Sequence, residues 1–567
     1  MNRNTTNHFA QIPKVQVSRS KFIRNHDHKT TFNAGDLIPI YVDEVLPGDT
    51  KTIDMAALVR MTTPVFPVMD NAYMDVYFFS VPNRILWEHW RELMGENRTT
   101  AWEQTVEYNV PQTTAPAGGW TEGTIADYMG IPTKVENLSV SSLPFRAYTM
   151  IWNEWFRDQN LKEPAMVTLD DKNTQGANSG DYVSNAEKGA LPLKAAKLYD
   201  YFTGALPNPQ KGPDVGFDLN PGKGLVGIEF PANITYRGET VGIATSPYAG
   251  LNGHMTNTGN NDNNQVGLKK VDETFYSLKF TGSTSEPALY ANWPTDNGNK
   301  EGYVTLTAAA PNTNFLSINQ LRMAFQIQKL YERDARGGTR YRELIRSHFG
   351  VTTSDARMQI PEYLGGYREP INVMQVVQTS GTEATGGTPQ GNVSAYSVTS
   401  NAHSCFTKSF EEHGWVIGVA VVRTDQTYQQ GLNRMWSRKN RFDFYWPALA
   451  NIGEQPILNK EIYAQGTATD NETFGFQEAW AEYRYSPSRV SGLFRSNANG
   501  TLDSWHYAQN YKQLPKLSSD WIDQGKEEVY RTLAVQDEPQ FLADFYFKCA
   551  DIRPMPTYSV PGLIDHN

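Results

Sequence analysis

The chain has 567 residues, 39% hydrophobic and 12% aromatic, which is enough apolar material for a large folded core and excludes general disorder. Its net charge of −10 excludes a protein that coats nucleic acid on every face, so any contact with a polyanion needs a local patch. The only cysteines, Cys405 and Cys549, exclude a disulfide scaffold and a CxxC zinc site.

Residues 1–30 are basic and carry a net charge of +5. This composition predicts an extended arm that becomes ordered on a partner surface. His26-Asp27-His28 resembles part of a metal site, but a solvated or nucleic-acid-facing pair is favoured because no further ligand stands at suitable spacing. The cations that we expect to contact nucleic acid or a neighbouring subunit are Arg3, Lys14, Arg19, Lys21, Arg24 and Lys29.

Residues 31–211 combine strand and helix patterns. The runs Leu37–Val42 and Tyr73–Val81 predict strands, and Pro82 ends the second of them. Leu86, Trp90 and Leu93 share one face of a helix predicted over Arg84–Met94. A second helix is predicted over Tyr148–Leu161, with Ile151, Trp152, Trp155 and Phe156 on its apolar side.

Residues 212–313 differ from the rest, because 49 of these 102 residues are Gly, Asn, Thr, Pro or Ser. Strand-like pieces at Leu225–Phe230 and Thr274–Phe280 predict a folded surface insertion. Its most exposed tip is expected at Asn257, Asn260, Asn261, Asp262, Asn263, Asn264 and Gln265.

Residues 314–567 begin with helices and continue with strands. Ser317 and Gln320 form a capping-box pattern, and Gly337-Gly338 separates the first helix from a second that ends near Gly350. Strands this far apart in sequence favour a β sandwich with long excursions over alternating βαβ units. The predicted strands are Ile371–Gln378, Trp415–Val422, Arg441–Tyr445 and Phe541–Lys548.

Few motifs indicate catalysis. Residues 222–227 match GxGxxG, but Asn220-Pro221 precedes them and a strand-like segment follows, so a turn is favoured over a dinucleotide site. Glu411-Glu412-His413 is interpreted as an acidic strand edge, and both cysteines as small core residues. The sequence has no HExxH, GxSxG or P-loop motif. We therefore expect no catalytic, cofactor or metal residues.

A basic cluster with an aromatic residue is the more informative motif. Between residues 434 and 441 the sequence holds four cations, one tryptophan and no acid. Cations neutralise phosphates and aromatic rings stack on bases, so the cluster is typical of a single-stranded nucleic-acid contact. The alternative is a basic loop at a subunit contact or in solvent. The candidate residues are Arg434, Trp436, Arg438, Lys439 and Arg441.

Four blocks resemble the major capsid proteins of the Microviridae. They begin with Ile53–Pro64 and the run YMDVYFFSVPNRILWEHW, and continue with Leu321–Ser354, Glu412–Arg423 and Tyr483–Arg489. The form LYERDARGGTRY, PEYLGG at 361–366 and the long insertion resemble the gokushovirus branch. The resemblance covers nearly the whole chain in the same order.

This resemblance implies a mainly β protein, an eight-stranded antiparallel viral jelly roll with long loop insertions and several helices in the connections. About sixty copies would form a T=1 shell, through pentamers, around a circular single-stranded DNA genome. Its partners would be an internal scaffolding protein, a pilot protein, a small basic DNA-associated peptide and a host surface receptor. The implied organisation is a basic arm at 1–30, jelly-roll parts at 31–211 and 314–567, and a protrusion at 212–313. The protrusion would either carry host recognition, with the tip at 257–265 as the candidate surface, or clasp neighbouring subunits.

The sequence and the resemblance together indicate where in the cell the protein is made and where it resides. The sequence shows no signal-peptide pattern, and its longest apolar run, Trp415–Val422, is too short to cross a bilayer. We expect no membrane insertion, assembly in the cytoplasm of a bacterial host and residence in the virion. The alternative function is a glycan-active β-sandwich enzyme, which would need two carboxylates held across a cleft lined by Trp and Tyr.

Overall fold

The computed structural model describes residues 18–98, 106–213, 318–380 and 390–558, and the short strands between 233 and 304. The strands in this part of the chain are β1 Ser20–Ile23, β2 His26–Phe32, β3 Ile38–Val45, β4 Thr50–Met61, β5 Ala72–Pro82, β6 Gln112–Thr114, β7 Ser139–Ser141, β8 Thr174–Gln175, β9 Asn233–Tyr236, β10 Glu239–Gly242, β11 Gly267–Lys269, β12 Phe275–Thr281, β13 Ala288–Ala291, β14 Gly302–Val304, β15 Glu362–Pro370, β16 Val373–Val377, β17 Val393–Ser397, β18 Thr399–Ser409, β19 Gly414–Thr424, β20 Thr427–Tyr428, β21 Glu454–Leu458, β22 Thr473–Glu478, β23 Ser488–Arg489 and β24 Phe541–Arg553.

Helices are fewer and mostly short. The α-helices in the described residues are α1 Asn83–Leu86, α2 Trp90–Leu93, α3 Ile125–Tyr128, α4 Leu143–Ile151, α5 Tyr182–Asn185, α6 Ile318–Gly337, α7 Tyr341–Phe349, α8 Asp355–Met358, α9 Asn459–Ile462 and α10 Glu527–Tyr530.

Two antiparallel sheets contain the long strands. In the first sheet, β24 lies between β4 and the two short strands β1 and β2, and β18 pairs with the other edge of β4. In the second sheet the order is β15, β5, β19, β3. The central pairings are long: β24 and β4 run together from Phe541 opposite Met61 to Ile552 opposite Thr50.

The two sheets share one hydrophobic core. Alternate residues of β4 point into it, namely Ile53, Met55, Ala57, Val59 and Met61. Residues from both central strands of the second sheet and from β24 belong to the same cluster, so the sheets pack face to face. The chain is therefore a mainly β protein with antiparallel sheets in a β sandwich, with helices in its connections.

The second sheet is buried on both faces. Residues of β5 and β19 that point away from the shared core, such as Phe79, Ile417 and Val419, pack against a layer formed by residues between α1 and Ala195. That layer contributes Trp87, Trp120, Tyr148 and Trp152, all fully buried. Burial on two faces requires apolar residues at consecutive positions, which explains the unbroken runs in β5 and β19.

Several predicted elements are confirmed with shifted ends. β3, β5, β16, β19 and β24 correspond to the strands predicted at 37–42, 73–81, 371–378, 415–422 and 541–548. α6 ends at Gly337 as predicted, and α7 follows the glycine pair. The capping residue proposed for α6, Ser317, lies outside the described residues.

The two helices predicted in the first part of the chain differ in detail. The expected helix over 84–94 is divided into α1 and α2, because the backbone is extended at Trp87. The helix predicted over 148–161 begins earlier, at Leu143, and continues after Ile151 as a single π-helical segment that ends at Phe156. Ile151 and Trp152 are buried, as the predicted apolar side requires.

A second compact unit comprises Asp214–Gln328. Within it, β9 and β10 form an antiparallel pair, and β11, β12, β13 and β14 form an antiparallel sheet in that order. β12 matches the strand predicted at 274–280. The strand predicted at Leu225–Phe230 and the tip at 257–265 lie outside the described residues.

Candidate assembly and nucleic-acid surfaces

The described part of the basic N-terminal segment contributes two strands to the sandwich. The prediction of an extended arm over residues 1–30 is wrong for Ser20–Ile23 and His26–Thr30, which belong to β1 and β2 and pair with β24. The reason is long-range pairing: the partner strand lies more than 500 residues away in sequence, so local composition did not indicate it. Arg3 and Lys14 lie outside the described residues.

The cations of this segment have different surroundings. Arg24 donates to Asp43 at 2.7 Å and to Asp551 at 2.9 Å, so its charge is used within the fold. Lys29 contacts Asp27 and lies 3.6 Å from Asp544. Arg19 and Lys21 are exposed. Of the four described cations, Arg19 and Lys21 therefore stay available to a partner, whereas Arg24 and Lys29 pair with acids of the fold.

Behind Arg24 lies a buried charge network. Lys51 contacts Asp43 and lies 3.0 Å from Asp551, and Lys51 and Asp551 are each 1% exposed. Burial raises the pKa of Asp43, but Lys51 and Arg24 lower it by more, so the net pKa is below its usual value. The network joins β3, β4 and β24 to Arg24, which lies between β1 and β2.

The histidines of this segment bind backbone oxygens. His26 Nδ1 lies 3.0 Å from the Arg24 carbonyl, and His28 Nδ1 lies 2.9 Å from the Ile40 carbonyl. Across the described residues, no group of three or more His, Cys, Asp or Glu is arranged to hold a metal ion.

The second candidate surface is the segment 433–446, called here the arginine–aromatic loop. It begins with a 3₁₀ turn over Arg434–Ser437, which the Asn433 side chain caps by accepting from the Met435 amide at 3.0 Å. Arg434 donates to the Pro456 carbonyl at 2.8 Å and lies 3.4 Å from Glu461. Arg438 donates to Glu482 at 3.0 Å. Two of the four cations therefore pair with acids.

The strand predicted over Arg441–Tyr445 is wrong. Residues Arg441–Asp443 form a 3₁₀ turn, because the Asp443 carboxylate accepts the amides of Lys439 and Asn440 at 2.7 Å each. These backbone donors hold the pKa of Asp443 below its usual value. The Trp446 indole donates to the Arg441 carbonyl at 3.1 Å and closes the turn. Side-chain bonds to the backbone thus compete with strand pairing.

The loop presents aromatic side chains to solvent. Trp436 is 69% and Phe442 is 72% exposed. The Arg438 guanidinium lies 4.5 Å from the Tyr483 ring centroid and 5.6 Å from that of Phe444. The Arg441 guanidinium lies 4.8 Å from the Trp446 ring. These cation–π contacts order the arginines among the rings.

A pocket of about 500 Å³ adjoins the loop. Its lining includes Arg434, Trp436, Tyr485, Arg489 and Arg495. Glu461 lies in its wall, and burial raises the pKa of that carboxyl despite the nearby Arg434. Sequence reasoning missed Glu461 and Glu482, because neither lies in the basic cluster and only the fold brings them to it.

The acidic motif at 411–413 and the two cysteines are the next motifs to be placed in the fold. Glu412 accepts two bonds from Arg84, each at 2.9 Å. Cys405 and Cys549 are free thiols, and burial raises the pKa of Cys405 to about 12. A thiol with so high a pKa is a poor nucleophile at neutral pH. The GxGxxG match at 222–227 lies outside the described residues. No helix in the described part of the chain is long and apolar enough to cross a membrane.

Two facing antiparallel sheets, with a loop that exposes aromatic rings and arginines, define a β-sandwich protein with surfaces suited to macromolecular contact. The family model described as capsid protein (F protein) matches residues 10–563. The chain is 43% identical to capsid protein VP1 of Chlamydia phage 1, covering 98% of both chains. It is 42% identical to capsid protein VP1 of Bdellovibrio phage phiMH2K, covering 99% of this chain and 98% of that one. It is 41% identical to capsid protein VP1 of Spiroplasma virus 4, covering 98% and 97%.

The chain therefore belongs to the capsid protein (F protein) family of phages. This membership confirms the resemblance to Microviridae major capsid proteins of the gokushovirus branch. It assigns the chain a structural role in a virion.

Proposed function

We propose that this chain is the major capsid protein of a small icosahedral virion, in which about sixty copies, arranged through pentamers, close a T=1 shell around circular single-stranded DNA. A closed shell of identical subunits needs a rigid wall element whose loops and edges contact neighbours. The sandwich supplies that element.

The order of the strands supports this proposal. The two sheets contain eight principal strands, which we number 1 to 8 in chain order: β2, β3, β4, β5, β15, β18, β19 and β24. With these numbers, the strand order is 1-8-3-6 in the first sheet and 2-7-4-5 in the second. Successive strands alternate between the sheets except at the fourth and fifth. This order supports the proposal of an eight-stranded jelly roll, the architecture of many viral capsid domains.

Contact with the genome is proposed for the N-terminal residues. Arg19 and Lys21 are exposed, and Arg3 and Lys14 precede them in a segment of net charge +5. The whole chain carries −10, so the small basic DNA-associated peptide of the virus would supply most of the positive charge that the packaged genome needs. The internal scaffolding protein and the pilot protein are the other proposed viral partners.

Host attachment is proposed for the insertion at 212–313. Its net charge of −4 disfavours inward contact with DNA, and a closed shell brings identical insertions together around its symmetry axes. Replacing residues 257–265 by a short Gly-Ser loop distinguishes host recognition from a clasp between neighbouring subunits. Intact shells that no longer attach to a host cell surface support recognition, and intact shells that attach normally contradict it. Failure to assemble supports the clasp between subunits.

Assembly itself is tested by expressing the chain in a bacterial cytoplasm, with and without its viral partners, and imaging the product by negative-stain microscopy. Uniform closed particles support the proposal. Monomers or small oligomers under all conditions contradict it, and turnover of an oligosaccharide by such monomers would support the glycan-active alternative.

A further inference from the structure

We propose that the arginine–aromatic loop is a contact between copies of this chain, and that Trp436 and Phe442 are its anchors. The inference rests on the proposed self-assembly and names one of the surfaces that performs it. For the basic cluster at 434–441, the proposal favours a subunit contact over a nucleic-acid contact.

Salt bridges use half of the loop's positive charge. Arg434 and Arg438 are held by Glu461 and Glu482, so these two cations have little charge left to neutralise a phosphate. Only Lys439 and Arg441 of the four cations therefore stay available to a phosphate.

The composition of the exposed surface favours a protein partner. Protein interfaces are enriched in Trp, Tyr, Phe, Met and Arg at their centres and depleted of Lys, Glu and Asp. The loop and its neighbour Tyr483 expose this set of side chains together. The exposed large apolar residues are Met435, Trp436, Phe442, Phe444, Tyr445, Trp446 and Tyr483.

The loop is also ordered before any partner binds. Backbone amides close the two 3₁₀ turns by donating to the Asn433 and Asp443 side chains, and the Arg438 guanidinium lies near the Phe444 and Tyr483 rings. Aromatic anchors that are already fixed lose little conformational entropy on binding, which strengthens an interface. A pocket of about 500 Å³ beside the loop offers a receptacle for a protruding side chain.

A second copy of the chain fits the remaining charge. Lys439 and Arg441 form no salt bridge in the described part of the chain, so this edge of the loop keeps a net positive charge although Asp443 lies beside them. Copies with a net charge of −10 repel one another overall, and a contact that places this basic edge on an acidic surface of the neighbour reduces that repulsion.

The test measures exposure and assembly separately from DNA binding. Hydroxyl-radical footprinting compares empty shells, which contain no DNA, with dissociated subunits. We expect the oxidation rate of Trp436 and Phe442 to fall at least fivefold in empty shells. Unchanged oxidation of both residues in empty shells would overturn the inference.

A double variant, Trp436→Ala with Phe442→Ala, provides the second measurement, and Tyr558→Ala, at another highly exposed aromatic, is the control. We expect the double variant to raise the concentration needed for assembly at least tenfold, with an unchanged melting temperature and an unchanged affinity for a thymidine 30-mer. Normal assembly with weakened oligonucleotide binding would assign the loop to DNA instead. If the unaltered chain forms no shells, the proposed function fails rather than this inference.

Discussion

Lys51 and Asp551 are 500 residues apart in sequence and form a buried salt bridge, with 3.0 Å between Nζ and Oδ1. Lys51 lies near the start of β4, and Asp551 lies near the end of β24, in the register that pairs these two residues directly. Tyr41 Oη accepts a further bond from Lys51 at 3.2 Å. The salt bridge therefore joins β4, from the early part of the sequence, to β24, from its last part, within one sheet.

Replacing Lys51 by Met should strongly destabilise the subunit, because Asp43 and Asp551 would lose the buried cation between them and keep only the more exposed Arg24 and Arg553. Breaking a buried ion pair in this way costs about 3–5 kcal/mol. Urea unfolding of the unassembled subunit measures the loss. Lys134→Met is the control, since Lys134 pairs with Glu122 in solvent and its removal should leave the midpoint unchanged. Equal midpoints for the two variants would contradict the role of the buried network.

The same network predicts a dependence of stability on acid. The folded pKa of Asp43 is below its unfolded value, so its contribution is present above about pH 4 and is lost as the pH falls through the folded pKa. Melting temperatures of the wild type and Asp43→Asn, measured between about pH 2 and 6, isolate this contribution. The difference between the two proteins should shrink toward low pH. A difference that stays constant would show that Asp43 does not titrate as described.

Asp75 has a comparable role in the second sheet. It is 1% exposed, accepts from Arg423 Nε at 3.0 Å and lies 2.5 Å from Arg368 Nε. Asp75→Asn keeps the shape but leaves two guanidinium groups without a counter-charge, so we expect a loss of about 3 kcal/mol in urea unfolding. Glu412→Gln removes the more exposed pair with Arg84 and should cost less than about 1 kcal/mol. If both variants lose the same stability, burial is not the deciding factor.

The N-terminal cations separate into two groups that mutation can distinguish. Changing exposed Arg19 and Lys21 to Gln should reduce the salt slope of oligonucleotide binding by up to about 2, because each cation that neutralises a phosphate contributes roughly one unit. Arg24→Gln should lower the melting temperature and leave that slope unchanged, since Arg24 is paired with Asp43 and Asp551. The proposal for Arg19 and Lys21 would be abandoned if their replacement left the slope intact.

Prediction from sequence succeeded where burial imposes a local pattern. β5 and β19 are buried on both faces, so their apolar runs are continuous and visible in sequence. β4 was not predicted as a strand, although Ile53, Met55, Ala57, Val59 and Met61 alternate with residues that face outward. That alternation is a local signal of a half-buried strand, and it could have identified β4.

Long-range pairing explains the other differences. β1 and β2 depend on β24, and the acids that neutralise Arg434 and Arg438 come from other segments of the chain. In the arginine–aromatic loop, Asp443 fixes a turn where the aromatic residues alone indicated a strand. The cations of the candidate site could thus be found from sequence, but their pairing could not.

If copies of this chain close a T=1 shell, the mass of the assembled particle is fixed by the number of copies. Sixty chains of 63.8 kDa give a protein mass of about 3.8 MDa. Charge-detection mass spectrometry of empty particles should therefore show one narrow species at that mass. A broad distribution, or one narrow species at a clearly different multiple of the chain mass, would contradict the account.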